Sequence, residues 1–223
     1  MAREGFRNEM KTLRTEVAGM GDLVTGRLSL ALDALDGDET AAHRVVDGDD
    51  AVNQTYVALE NRCLDLFALQ QPVASDLRIV AASFKIITDL ERIGDLASNL
   101  GTYALTEQRS SVPEVDVVAL AEDVQAMVED GMTAYAERDV EACYELADRD
   151  DRVDANGLRA SEQLVRALIE REHVTDAWSV ERVLDDVSRL LLTVRDLERI
   201  GDHAVNIAAR TAYMVENDRT LIY

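Results

Sequence analysis

Two segments of this chain carry the same polar side chains at the same spacing. Residues 89–99 read DLERIGDLASN, and residues 196–206 read DLERIGDHAVN. Glu91 and Asp95 are four residues apart, as are Glu198 and Asp202, and Asn99 and Asn206 follow one turn later. On a helix, residues four apart share a face. Like charges so placed repel by about 0.2–0.5 kcal/mol, and a cation bound between them turns the repulsion into attraction. Carboxylates with an amide form an all-oxygen ligand set. Such sets suit magnesium, calcium, manganese or iron, whereas zinc usually takes His or Cys as well.

A second acidic segment also recurs. Asp47, Asp50, Val52 and Asn53 match Asp148, Asp151, Val153 and Asp154. Short connections make consecutive helices antiparallel. Counting about twenty residues back from a turn near residue 71 reaches Asp50 and Asn53, and about twenty forward reaches Glu91 and Asp95. From a turn near residue 173, Asp151 and Asp154 fall opposite Glu198 in the same way. The expected metal ligands are therefore Glu91, Asp95, Asn99, Asp50 and Asn53 in the first half, and Glu198, Asp202, Asn206, Asp151 and Asp154 in the second. Arg92 and Arg199 read as partners of neighbouring carboxylates, and Gly94 and Gly201 as points of close helix approach. His43 and His173 read as solvated groups near helix ends, and His203 as lying toward the apolar side. The chain holds one Glu-x-x-His, Glu170 with His173, and not the two on separate helices of the ferritin type; it has no Gly-rich phosphate loop, no nucleophile elbow and no Cys-x-x-Cys. No catalytic residue is expected.

The elements that must position these groups are helices. Hydrophobic residues make up 47% of the 223-residue chain and aromatic residues only 4%, with two prolines, a composition that favours long helices. Met10, Leu13, Val17, Met20, Val24, Leu28 and Leu32 mark one face of a first helix over 4–35. Further helices are expected at 38–70, 74–107, 115–136, 139–171 and 176–217. Gly37-Asp38 and Gln71-Pro72 act as breaks, Ser75 or Asp76 and Thr175 or Asp176 as caps, and Ser110-Ser111-Val112-Pro113 as linker. On a wheel, Ile86, Leu90, Ile93, Leu96, Ala97 and Leu100 gather opposite Glu91, Arg92, Asp95 and Asn99. Thr193, Leu197, Ile200, Ala204 and Ile207 do the same in the second copy. The repeat spans about half the chain and suggests a duplicated unit. The expected fold is all-α, with two tandem pseudo-symmetric antiparallel three-helix bundles at 1–109 and 114–223.

Charge narrows the partners. The formal net charge is −21, which disfavours nucleic acid and anionic membrane surfaces. Lys11 and Lys85 are the only lysines among 23 basic residues; an acidic, lysine-poor surface suits a host with high internal salt. No apolar run approaches the roughly 20 residues of a membrane span, and the first residues lack a signal peptide's apolar stretch. A cytoplasmic location is expected. Cys63 and Cys143, one per half, read as small buried apolar residues.

The paired E-R-I-G-D motifs, the QPVASDLRIV segment at 71–80 and the midpoint duplication make the chain resemble the PhoU family of phosphate-uptake regulators over essentially its whole length. The resemblance implies two similar three-helix bundles. It implies metal clusters, iron among them, on carboxylate-rich surface patches, with Glu91 and Asp95 matching one motif pair and Glu198 and Asp202 the other. It implies a non-enzymatic cytoplasmic adaptor that restrains phosphate import and starvation signalling. Its implied partners are the ATPase subunit of the phosphate ABC transporter and a sensor histidine kinase. The amount of exposed helix face suggests a homodimer. Two other classes remain open: a metal-dependent phosphohydrolase, since clustered ions activate water, and a structural bundle without metal.

Overall fold

The structure, a computed structural model, describes residues 2–69, 74–106, 117–169 and 177–222. The described residues form seven helical segments and no strand. They are α1 (Ala2–Leu35), α2 (Glu39–Asp47), α3 (Asp49–Leu69), α4 (Ala74–Leu105), α5 (Val117–Glu137), α6 (Val140–Ile169) and α7 (Ala177–Glu216). The chain is all-α, as expected. One expected element differs: the helix placed at 38–70 is a rod broken at Gly48 into α2 and α3. The break has a local cause. The Arg27 guanidinium presses on Gly48, where a Cβ would meet Nη1 at 2.6 Å. Arg27 Nη2 also donates to the Val45 carbonyl in the last turn of α2, at 2.6 Å. A side chain thus satisfies backbone at an interrupted helix.

Equivalent caps open the middle helix of each unit, α2 and α6. Asp38 accepts from the backbone N–H groups of Thr40 at 2.8 Å and Ala41 at 3.1 Å, and Asp139 accepts from that of Ala142 at 3.1 Å, each satisfying orphan donors of a first turn. Ser75 and Asp76 lie in the first turn of α4. The expected breaks and caps at Gln71-Pro72, 110–113 and Thr175-Asp176 lie outside the described residues, as do both domain limits and His173.

The α2–α3 rod packs on α1 and α4, and α6 packs on α5 and α7. The two units meet through α4 against α7 and α1 against α5. The apolar faces read from the sequence form a single continuous core: Leu13, Val17 and Leu28 from α1, Ile86, Leu90 and Ile93 from α4, and Leu197, Ile200 and Ile207 from α7 are all fully buried. Cys63 and Cys143 are buried and free.

Packing around glycine is tight where α4 passes α2. A Cβ on Gly101 would lie 2.2 Å from Val45 Cγ1 and 3.3 Å from the Ala42 carbonyl oxygen. Val45 is β-branched and buried, so it cannot swing aside. Gly101→Ala is therefore expected to destabilise the protein by about 1–2 kcal/mol despite alanine's better helix propensity, read as a lower midpoint in urea titration.

Candidate metal centre

The junction of α4 and α7 fixes the position of both motifs. His203 Nδ1 lies 2.9 Å from Asp89 Oδ1, and Asn206 Nδ2 donates to the same oxygen at 3.5 Å. In the mirror arrangement Asn99 Nδ2 donates to Asp196 Oδ2 at 3.4 Å, joined by the Tyr103 hydroxyl at 3.0 Å. The Asp89–Asn206 and Asn99–Asp196 contacts map onto each other under the 107-residue shift of the motif. The two helices are thus antiparallel across a local twofold near Gly94 and Gly201. Asp196 is fully buried and also pairs with Arg195 and Arg199, at 3.0 and 3.7 Å. The two asparagines expected among the ligands are therefore engaged across the bundle junction, and the leading aspartate of each motif is part of that junction.

Val52 of α3 sits on Gly94, and Val153 of α6 sits on Gly201, with a Cβ at those glycines 3.1 and 3.5 Å from the valine methyls. The glycines do permit close approach. Each valine brings with it the residue three positions earlier, Asp49 or Asp150, which the sequence reading missed in favour of Asp50 and Asp151. Asp50 and Asp151 are exposed, whereas Asp49 and Asp150 are half-buried toward the motif helix. The signal was available, because residues three apart share a helix face and Val52 and Val153 are the apolar matches within the repeated acidic segment.

The two patches share a plan but differ in what surrounds them. In the first, Asp49 is engaged on every side. Arg27 Nη2 donates to it at 3.4 Å, Ser98 Oγ at 3.1 Å and Asn53 Nδ2 at 2.9 Å. Arg92 Nε stands 3.5 Å from Glu91, and its Nη1 donates to Asp95 at 3.3 Å. Burial and the Asp95 charge push the Glu91 carboxyl up, and Arg92 pulls it part of the way back. Tyr56 stands close enough to Glu91 for the carboxylate to help raise its hydroxyl, after burial and a bond to Glu60.

The second patch lacks these groups. Val205 occupies the position of Ser98, and Gly157 that of Tyr56. Arg199 turns to Asp196 instead of its own motif pair. Among the described residues, no cation forms an ion pair with Asp150, Asp154, Glu198 or Asp202. Asp150 Oδ1 is buried without a hydrogen-bond partner. Burial, then the charges of Asp154, Asp202 and Asp151, push the Asp150 carboxyl up to about 6. Glu198 and Asp202 are raised as well, by burial and then by Asp154. Asp154 and Asp202 are exposed.

Among the described residues, no three Asp, Glu, His or Cys groups already converge on one point at ligating distance. The second patch nevertheless fits a cation on two counts. It offers an unpartnered buried oxygen surrounded by mutually repelling carboxylates, and its donors are all oxygen, the set hard cations and iron take. Glu198 lies directly over Gly157, where a Cβ would meet Oε1 at 2.1 Å. Gly157→Ala is thus expected to push this carboxylate off the patch and weaken manganese binding about tenfold, measured by calorimetric titration, while helix content holds.

The architecture defines an all-α class of two duplicated three-helix units joined across a local twofold, each with an acidic patch on its motif helix. The PhoU domain family matches this chain twice, at residues 17–104 and 117–211, and the chain belongs to the PhoU family. It is 35% identical over 214 residues to a Pseudomonas aeruginosa protein named phosphate-specific transport system accessory protein PhoU homolog, covering 94% of this chain and 85% of the relative. It is 32% identical to PhoU homolog 1 of Methanothermobacter thermautotrophicus, covering 94% of both. The crystal structure of PhoU from Pseudomonas aeruginosa superposes with a TM-score of 0.86 at 34% identity, over 96% of this chain and all of that one. No described helix is long and apolar enough to cross a membrane.

Proposed function

We propose that the protein is a cytoplasmic, metal-binding regulator of phosphate uptake. It acts without turnover, as an adaptor on the ATPase subunit of the phosphate ABC transporter and on the associated sensor histidine kinase. The regulatory half of this reading is supported by relatives of nearly full coverage that are named as accessory proteins of phosphate transport. The metal half rests on one observation: the unpartnered buried oxygen of Asp150 among Asp154, Glu198 and Asp202.

Asp150 and Asp154 would hold the ion from α6, and Glu198 and Asp202 from α7. The ion supplies positive charge that four crowded carboxylates lack, and so ties α6 to α7. The chain's own groups do the rest. Val153 on Gly201 sets the helix spacing, and the Asp89 and Asp196 contacts hold the patches at a fixed relation across the twofold. A regulator shifts a transporter between states only by binding one state more tightly than the other, and long rigid helices offer the surface for that discrimination.

The test is in cells. Deleting the gene should release phosphate uptake from its control by external phosphate, and the wild-type chain should restore that control. Uptake unchanged by deletion would contradict the reading. Metal-loaded protein that hydrolyses phosphate esters, and loses that activity with Asp202→Asn, would replace it with the hydrolase class.

A further inference from the structure

The two units match residue by residue. Val17, Val24 and Ala34 of α1 are buried, as are Val117, Val124 and Ala134 of α5, at a shift of 100 residues. The capping residues Asp38 and Asp139 set a shift of 101 for α2 and α3 against α6. At one wall the match fails in chemistry. Arg27 answers to the fully buried Met127, Arg44 to Glu145, Leu30 to Asp130 and Gly48 to Arg149. In the second unit Arg149 pairs with Asp130, and the groove there, about 220 Å³, is lined by Asp130, Glu137, Asp139 and Glu145 around that one arginine. In the first unit Gly48 leaves the equivalent space open. The cleft between α1 and α2 measures about 660 Å³, and Arg27, His43 and Arg44 line it beside Leu23 and Leu30. The chain has 23 basic residues against 44 acidic ones, so a cleft with more basic than acidic side chains is an exception on this molecule.

Arg27 is its deepest group. It is 5% exposed, and a guanidinium carries five N–H donors. The Val45 carbonyl, Ser98 and Asp49 are all served by Nη2. Nε has no hydrogen-bond partner. Nη1 has none among the described residues either, and it stands against Gly48 on the cleft wall. A buried cation with unfilled donors is costly until an acceptor fills them. Arg44 is exposed and forms no ion pair with any described residue. Glu39 and Asp47 also line the cleft. Both are exposed, and His43 Nε2 stands 4.0 Å from Glu39. Salt screens exposed charges far more than buried ones, so Arg27 sets the sign of the cleft floor.

We infer that the α1–α2 cleft is an oxyanion site for a phosphate group, held by Arg27 Nη1 from α1 and by Arg44 from α2. One carboxylate is filled by a single guanidinium, whereas a phosphate has the second charge and third oxygen that two arginines on different helices require. The cleft exceeds the size of the free anion, and Leu23 and Leu30 give it an apolar side. Inorganic phosphate and a nucleotide both bring the group. The site is separate from the acidic patches and depends on neither the metal nor the regulator reading.

The test is calorimetric titration of the full, metal-stripped chain at low salt, with inorganic phosphate and, separately, with ADP. One ligand per chain is expected. Arg44→Glu puts the second unit's residue on an exposed position and should weaken binding about tenfold or more. Arg27→Met should abolish it, with circular dichroism reporting that both variants are folded. Phosphate binding at least as tightly as ADP identifies the free anion as the ligand. Tighter binding of ADP, still weakened by Arg44→Glu, identifies an organic phosphate seated along Leu23 and Leu30. No binding of either at millimolar concentration overturns the inference, as does binding that both arginine variants leave unchanged or that appears only with added metal.

Discussion

Replacing Asp150 by Asn should stabilise the metal-free protein and remove half or more of the stabilisation that manganese gives. The two effects have opposite sign because the same oxygen is a liability without a cation and a ligand with one. The Asp150 carboxyl is pushed up to about 6 by burial and by Asp154, Asp202 and Asp151, whereas in the unfolded chain it titrates near about 3.9. Between these values the folded state holds a proton that the unfolded state does not. Stability therefore falls as pH rises through about 4 to 6, and the penalty is complete above the folded value. Because the group is only partly buried, screening reduces the penalty to the order of 1 kcal/mol. The Asn variant should lose this part of the pH slope and gain that amount at pH 7.5. With manganese at about a hundred times its dissociation constant, wild type gains about 2.7 kcal/mol. A variant binding at least about tenfold more weakly gains about 1.4 kcal/mol less. Calorimetric melts from pH 4.5 to 7.5, with and without manganese, read all of this. A variant less stable than wild type in the absence of metal would contradict the assignment.

The second large effect belongs to the other bundle. Arg27 is only 5% exposed, and its Nη2 serves the Val45 carbonyl at 2.6 Å, Ser98 Oγ at 2.6 Å and Asp49 at 3.4 Å. It is a built-in cation for the first acidic patch. Arg27→Met keeps the length of the side chain but leaves the Asp49 carboxylate facing Glu91 and Asp95 without its partner. Asp49 keeps 35% of its side-chain exposure and Ser98 and Asn53 still donate to it, so the cost is below that of a fully buried pair and comes mainly from the Val45 carbonyl left without its donor, about 1–3 kcal/mol. The variant should unfold about 2 kcal/mol more easily in urea without metal. It should also bind one more manganese ion than wild type in calorimetric titration. The added ion should disappear again with Asp49→Asn in the same background. An Arg27→Met protein of wild-type stability, or with no added site, would show that Arg27 does not play this part.

These two residues also mark the limit of the sequence. Helical periodicity placed the cores of α4 and α7 correctly, because Ile86, Leu90, Ile93, Leu197, Ile200 and Ile207 repeat at helical spacing and are buried. The outward position of Glu91 and Asp95 follows from the same wheel. The break at Gly48 does not, because apolar periodicity continues on both sides of it and the cause, Arg27, is twenty-one residues upstream. Hairpin counting brought the acidic segments to the right height but chose Asp50 and Asp151 over Asp49 and Asp150. Height along a helix does not fix rotation about it; Val52 and Val153 do. The engagement of Asn99 and Asn206 across the bundle junction was also out of reach, since the order of helices in one unit does not say which helix of the other it meets. Nor could the duplicated motif reveal that its two copies differ in surroundings, with Arg27, Ser98 and Tyr56 on one side and Val205 and Gly157 on the other.

The most direct test is elemental analysis of the protein purified from its own cells, without added metal or chelator, beside the Asp150→Asn, Glu198→Gln double variant. At least one ion of iron, manganese, magnesium or calcium per chain is expected in wild type, and a large loss of it in the variant. Wild-type protein without stoichiometric metal, or a variant that keeps its full content, would contradict a metal centre at Asp150, Asp154, Glu198 and Asp202.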